Sequence, residues 1–327
     1  MVQEFIKMNQ SISIFKKMER DAMRPFGEAA QRYLDEFTGK DADAVANILA
    51  GMCHYFGDMP IIEVDDGAIS EWRSDYLQGR GLFDDGKGQR TAGTVNQRVG
   101  YLAAVMNRAS KHWRWIPQTP YFERPRGMKK QSIALTYEEE DQLFAALPEH
   151  WRKGLCKFAI NAGVREQEVT GMKWTDIREF HDPYSTYVII AYGKSKEVVK
   201  PRAVILNSLA KEAVDYERNN GSRYIFPSRC ASNRGGKLGK TWKLFSACWK
   251  NAGLPSGEWQ RTGIHNLRHT FISRLAAHGV YEKRITDALA GHHGTDIWNN
   301  YTQQDVYLLE SKVEKLTNRK KLTFLRM

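Results

Sequence analysis

The sequence predicts a mainly α-helical protein in two parts: an all-α first half, and an α+β second half whose helices enclose a small antiparallel β-sheet. Three observations carry this. Apolar residues recur at three-four spacing through most of the chain, the pattern of a helix with one buried face. In the second half two β-branched runs, Tyr187 to Tyr192 and Arg202 to Leu206, are joined by a turn built on Gly193-Lys194-Ser195-Lys196. Between the halves, Gln118 to Ser132 holds Pro120, Pro125 and Gly127, which deny it regular structure.

Composition sets the outer bounds. A length of 327 residues suits two domains, and 42% hydrophobic against 27% charged residues favours a folded body over disorder. No apolar run approaches the roughly 20 residues that span a bilayer, and the N-terminus MVQEFIKMNQ has no signal-peptide core, so the chain reads as cytoplasmic. A net charge of +11 makes a polyanion the first partner to consider. Cys53, Cys156, Cys230 and Cys248 lie far apart and form no CxxC pair, which points to buried reduced thiols rather than a disulfide framework or a cysteine zinc site.

In chain order, residues 1–25 hold one small apolar cluster, Ile12, Ile14 and Phe15, and are read as a helical or partly disordered tail. Residues 26–117 form the all-α domain. Its first helix has the stripe Phe26, Ala30, Tyr33 and Phe37 and stops at Thr38-Gly39-Lys40. A second contains Val45, Ile48, Leu49 and Met52, and a third Ile69, Trp72 and Tyr76. After a Gly- and Asp-rich loop, the fourth is expected to start at Thr94, with Gln97 completing a capping box. Its stripe runs through Val95, Val99, Leu102, Met106, Ala109 and Trp113 to Pro117, and Arg98, Arg108 and Lys111 lie on the opposite face. That face is either plainly solvated or a contact for a phosphate backbone. The linker 118–132 adds Arg124, Arg126, Lys129 and Lys130, which suit either the same role or a hinge.

Residues 133–327 form the second domain. Thr136 and Glu139 make a capping box for its first helix, which ends near Pro148. A helix over about Trp151 to Asn161 stops at Gly163, and Arg165 leads the next helical stretch. The two strands follow, then helices at Leu209 to Arg218 and around Phe245 and Trp249, whose stripe is core packing. The next helix carries His265 and Arg268 beside a core face of Leu267, Phe271 and Leu275 and ends at Gly279; another, with Ile285 and Leu289, ends at Gly291.

The chemistry lies between Gly263 and Tyr301. His265 and Arg268 are three residues apart, so on a helix they share a face. Arginine offers a planar fork of donors to phosphate oxygens, histidine moves protons near neutral pH, and a nearby tyrosine can act as nucleophile. Phosphoryl transfer through a covalent tyrosyl intermediate is the expectation these residues set. His265, His269, His292 and His293 raise the thought of zinc, but there is no HExxH motif and no carboxylate placed as third ligand. His269, His278 and His293 are read as structural or exposed.

Five local contexts occur in order: AGVREQE at Arg165, the GKSK turn, HNLRHT at His265 and Arg268, AGH at His292, and WNNY at Tyr301, nine residues after His292. In these the sequence resembles the tyrosine recombinases, specifically the phage-type integrases, and the resemblance extends from about Phe26 past Tyr301. FGEAAQRYL and TVNQRVGYLAAVMNRA in the first half resemble the family's core-binding domain. The resemblance implies a catalytic set of Arg165, a hairpin lysine, His265, Arg268, His292 and the nucleophile Tyr301. Lys196 is the better match for the lysine, from the run SKEVVKPRAVIL, with Lys194 the alternative. Glu168 would support the arginines from behind or be a surface charge.

The resemblance further implies a site-specific recombinase that cleaves and rejoins duplex DNA through a 3′-phosphotyrosyl intermediate. It would need no cofactor: two arginines supply the charge that metals supply elsewhere, and the phosphotyrosine conserves bond energy without ATP. Expected partners are double-stranded DNA, three further copies in a homotetramer on synapsed sites from a free monomer or dimer, and accessory DNA-bending or directionality proteins. No membrane is involved, and in a bacterial host the protein would be nucleoid-associated. The segment after Tyr301 would pack on a neighbouring protomer or fray. A type IB topoisomerase is the rival enzyme, disfavoured by the helical first domain and the motif contexts; a non-catalytic DNA-binding protein would have lost an arginine or the tyrosine.

Overall fold

A computed structural model describes residues 16–39, 41–86, 88–127, 132–180, 186–191, 202–239, 241–255, 263–291, 303–322 and 324. The chain divides into two units, Met1–Lys129 and Lys130–Met327, each with its own hydrophobic core.

In the first unit residues 16–22 are helical, and four helices follow: α1 (Phe26–Asp35), α2 (Ala42–Phe56), α3 (Asp66–Gln78) and α4 (Ala92–Asn107). Their apolar stripes meet in one core where Phe26, Leu49, Phe56, Trp72, Val99 and Leu102 are fully buried. The start of α4 differs from expectation. Thr91, not Thr94, is the N-cap, its hydroxyl accepting from Thr94 N at 3.3 Å, because Ala92 and Gly93 extend the helix by most of a turn. Its end differs too: after Asn107 the chain widens into a π-helical turn, Arg108–His112. An apolar stripe reports which face is buried and not the size of the hydrogen-bonded ring, so the sequence shows no sign of this.

The basic segment after Pro117 is not a free strap over its first part. Tyr121 N donates to Asp66 Oδ1 at 2.7 Å, Arg73 to Glu123 O at 3.0 Å, and Asn96 Nδ2 to Pro125 O at 3.0 Å, while Phe122 packs on the helical core.

The second unit contains α5 (Tyr137–Ala146), a π-helical turn Trp151–Cys156 running into α6 (Lys157–Ala162), and α7 (Glu166–Gly171). Strands β1 (Ile177–Phe180), β2 (Thr186–Ala191) and β3 (Arg202–Val204) come next, then α8 (Ser208–Tyr216), α9 (Trp242–Asn251), α10 (Ile264–Ala277), α11 (Lys283–Ala290) and α12 (Gln303–Glu314). The capping box forms as expected: Thr136 Oγ1 accepts from Glu139 N at 3.2 Å and Glu139 Oε2 from Thr136 N at 3.0 Å. The sheet is antiparallel in the order β1-β2-β3, one strand more than the two expected. The additional strand is short, and its sequence IREF puts two charges among four residues.

Both faces of the sheet are covered. Strand residues alternate between faces, so Ile189, Ala191 and Val204 enter one core cluster and Val188 and Ala203 another. Helix α10 runs through both, with Ile264 and Leu267 in the first and Phe271 and Leu275 in the second. The second cluster is completed by α12 and the turn after it, through Val306, Leu309, Val313 and Leu316. The tail is fastened by Tyr137 Oη donating to Leu316 O at 2.9 Å and by Arg319 Nη2 donating to Tyr137 O at 2.7 Å. The described part of this segment therefore docks on its own unit, because its apolar stripe closes a core that would otherwise open to water, and residues 325–327 lie outside the described residues.

All four cysteines are free thiols; Cys156 and Cys248 are buried, but Cys53 is half-buried and Cys230 is exposed, against the expectation of four buried thiols.

Candidate active site

The site begins at a glycine. α6 ends at Gly163, which has φ +60, a left-handed conformation that suits glycine and turns the chain sharply. Two residues later Arg165 takes the N-cap position of α7, and its own backbone N–H donates to Glu168 Oε2 at 2.8 Å. Arg165 Nη1 donates to Glu168 Oε1 at 2.8 Å and Nη2 to the Gly291 carbonyl at 2.8 Å. Held at both forks, the Arg165 side chain is still 46% exposed and has an open face.

Arg268, on α10, reaches the same turn from the other side, with Nη1 donating to Gly163 O at 2.7 Å. It is 2% exposed, and its Nη2 is buried with no hydrogen-bond partner among the described residues. Burial, together with repulsion from Arg165 and Arg202, lowers the Arg268 pKa to about 9. A charged, undersaturated donor held in such a place favours an anion that can complete it.

Glu168 is the carboxylate that makes the cluster tolerable. Burial alone would raise its pKa, but the charge and hydrogen bonds of Arg202, then the backbone N–H and charge of Arg165, outweigh burial and hold it at about 2. The sequence allows Glu168 to be a support or a surface charge; at 4% exposure it is buried between two arginines. Arg202 is a site residue that sequence reasoning does not find. It lies in a β-branched run after Lys200-Pro201 and reads as an ordinary strand residue; the available signal is a cation inside a strand with two covered faces, which needs a carboxylate.

The other candidates divide by place. His265 is exposed in the first turn of α10, one turn before Arg268. Lys194, Lys196, His292, Tyr301, Lys129 and Lys130 lie outside the described residues. In the first unit, Arg98 stacks its guanidinium 4.9 Å from the Tyr76 ring centre and Arg108 lies 3.5 Å from Glu36, so both have intramolecular partners; Lys111, Arg124 and Arg126 are exposed. His269 is half-buried, which lowers its pKa, and His278 Nε2 is 3.1 Å from Tyr137 Oη. Among the described residues no group of three or more His, Cys, Asp or Glu is placed to hold a metal, and no helix is long and apolar enough to cross a membrane.

Two guanidiniums on one buried carboxylate, and a third on the neighbouring Gly163 carbonyl, at the junction of two helix ends and a sheet edge, make a cationic site suited to an anionic group. Residues 134–306 match the phage integrase family, and the chain belongs to that family. It is 24% identical over 281 residues to an integrase of Haemophilus phage HP1, covering 85% of this chain and 75% of that one. It is also 24% identical over 259 residues to a XerC-like tyrosine recombinase of Caldanaerobacter subterraneus subsp. tengcongensis, covering 67% of this chain and 63% of that protein. In fold it is similar to a lambda integrase dimer bound to a COC' core site, with TM-score 0.62 and 18% identity over 99% of this chain and 88% of that one. It is likewise similar to the Tn1549 transposon integrase in complex with circular intermediate DNA, with TM-score 0.65 and 15% identity over 87% and 98% of the two chains. The protein is thus a tyrosine recombinase, a DNA-binding enzyme that breaks and rejoins DNA in site-specific recombination, and the topoisomerase and non-catalytic readings are not favoured.

Proposed function

We propose that Arg165 and Arg268 form the clamp for the scissile phosphate and that Tyr301 attacks it. The observation that carries this is the convergence of two arginines on the Gly163 turn, Arg268 from 105 residues away, with Arg268 Nη2 left without a partner among the described residues. Each guanidinium takes non-bridging oxygens and stabilises the charge that builds in the pentacoordinate transition state. The Tyr301 phenol oxygen bonds to phosphorus, its proton passing to His265, and the bond to the 5′ oxygen breaks. Lys196 protonates that leaving oxygen, with Lys194 the alternative, and His292 hydrogen-bonds the phosphate. Attack on the phosphotyrosine by another strand's 5′ hydroxyl reverses these steps and releases the enzyme.

The helical first unit is proposed as the core-binding domain, with Lys111, Arg124, Arg126, Lys129 and Lys130 against the phosphate backbone, while Arg98 and Arg108, engaged by Tyr76 and Glu36, are left out of that contact. The related lambda integrase forms a tetramer on a Holliday junction, and four copies on two sites are proposed here. One phosphodiester is exchanged for another, so direction has to come from binding, the role assigned to accessory DNA-bending or directionality proteins. Bound to DNA, the protein would be found at the nucleoid of a bacterial host.

The test is a nicked suicide substrate carrying a verified site. A covalent protein–DNA adduct should form in excess EDTA and survive denaturant, and be absent in Tyr301→Phe; an adduct that persists in that variant would sink the assignment. In the same assay Lys196→Ala should slow cleavage of ordinary DNA but not of DNA with a 5′-bridging phosphorothiolate, whose leaving group needs no acid. Rescue of Lys194→Ala instead would move the acid to Lys194.

A further inference from the structure

Arg202 opens β3, and at 7% exposure its guanidinium sits where a cation without partners would be strongly disfavoured. Its partners are informative, because two of them are the supports of Arg165. Arg202 donates from Nε to Glu168 Oε1 at 3.2 Å and from Nη2 to Glu168 Oε2 at 2.9 Å, a side-on pair that uses both oxygens. Glu168 Oε1 is also the acceptor of Arg165 Nη1.

The second support is Gly291, whose carbonyl accepts from Arg165 Nη2. Arg202 lies against its backbone: a Cβ on Gly291 would stand 2.3 Å from Arg202 Cδ and 2.5 Å from Nε. Arg202 Nη1 also donates to the Leu289 carbonyl at 3.3 Å, two residues earlier on the end of α11. Finally Nη2 is 3.5 Å from Gly163 O, the carbonyl that takes Arg268 Nη1. One side chain thus joins the strand leaving the hairpin, the acidic residue of α7, the end of α11 and the turn before Arg165.

We propose that Arg202 is a positioning residue for strand cleavage: it keeps Glu168 and Gly291 in register so that Arg165 presents its open face to the phosphate, and it does not itself touch DNA. This rests on the phosphate-clamp reading above. Lysine is a poor substitute, since a point charge cannot take both Glu168 oxygens and the Leu289 carbonyl as a planar fork does.

The experiment compares Arg202→Lys and Arg202→Gln with the unaltered protein on three versions of one verified site: ordinary DNA, a neutral methylphosphonate at the scissile position, and a 5′-bridging phosphorothiolate. Both variants should bind the site within a few-fold of the unaltered protein yet lose about 10²-fold in adduct formation on ordinary DNA, the loss expected from a clamp misplaced by about an ångström. On the methylphosphonate, which lacks the charge that Arg165 stabilises, the gap should shrink below about tenfold. The phosphorothiolate should leave it unchanged. A gap equal on ordinary and methylphosphonate DNA, or one closed by the phosphorothiolate, would overturn the proposal. If both variants fail to fold, Gly291→Ala displaces Arg202 from the other side and is held to the same outcomes. Absence of a Tyr301-dependent adduct in the unaltered protein would overturn the clamp reading itself, and is seen before any Arg202 variant is measured.

Discussion

The ring of Phe271 lies against the backbone of Gly163 so closely that a Cβ on the glycine would stand 2.3 Å from Phe271 Cδ1. Phe271 is on the helix that carries Arg268, and Gly163 is in the turn that delivers Arg165, so one packing contact sets the two arginines' backbones against each other. Gly163→Ala adds left-handed strain and overpacking together. Urea denaturation should show a loss of about 1–3 kcal/mol, with slower adduct formation by the protein that remains folded. Adding Phe271→Leu should return part of both losses; strictly additive effects would show that the contact does not couple the two sites.

Glu168 sets an acid limit on the fold. Its pKa is about 2 in the folded protein against 4.5 for the free group, so its contribution to stability is fully present above about pH 4.5 and is lost as pH falls from there through about 2. A difference of that size corresponds to about 3 kcal/mol. Glu168→Gln should therefore be less stable at neutral pH, and its stability should fall less steeply than that of the unaltered protein between pH 4.5 and 2. Parallel stability curves for the two proteins across that window would refute the assignment.

The cations of the first unit should separate into two groups. Arg98 shares the Tyr76 ring with Arg90, whose guanidinium lies 4.7 Å from the ring centre, so Arg98→Ala should cost about 0.5–1 kcal/mol of stability and leave the salt dependence of DNA binding nearly unchanged. Arg124→Ala and Arg126→Ala should instead reduce the slope of log K against log salt by about 0.9 for each phosphate that is no longer neutralised. Binding titrations over a range of salt, set beside thermal melts, would expose the reverse pattern.

What sequence could show depended on how local each feature is. The Thr136–Glu139 capping box and the left-handed turns at Gly163 and Gly291 were legible because the residues that make them are neighbours. The same rule misplaced the start of α4, since Thr94 and Gln97 have the right spacing but Thr91 stands a turn earlier and took the cap. β1 was invisible because IREF borrows its strand character from pairing with β2, not from its own side chains. At the site, Arg165, Glu168 and Arg268 could be placed on the correct elements, but Arg202 could not be seen as their partner. Its bonds to Glu168 span 34 residues and its bond to Leu289 spans 87, and periodicity carries no information over such separations.

The docking of α12 turns the segment before it into a short leash. Val306 is buried in the second core cluster, and Tyr301 precedes it by five residues. At no more than about 3.6 Å of chain per residue, the Tyr301 Cα stays within roughly 18 Å of that fixed point. The range of the proposed nucleophile is therefore limited by its chain distance from an anchor on its own unit. A phosphate farther away than that radius plus the length of a tyrosine side chain can be reached only after the last helix lets go of Phe271 and Leu275.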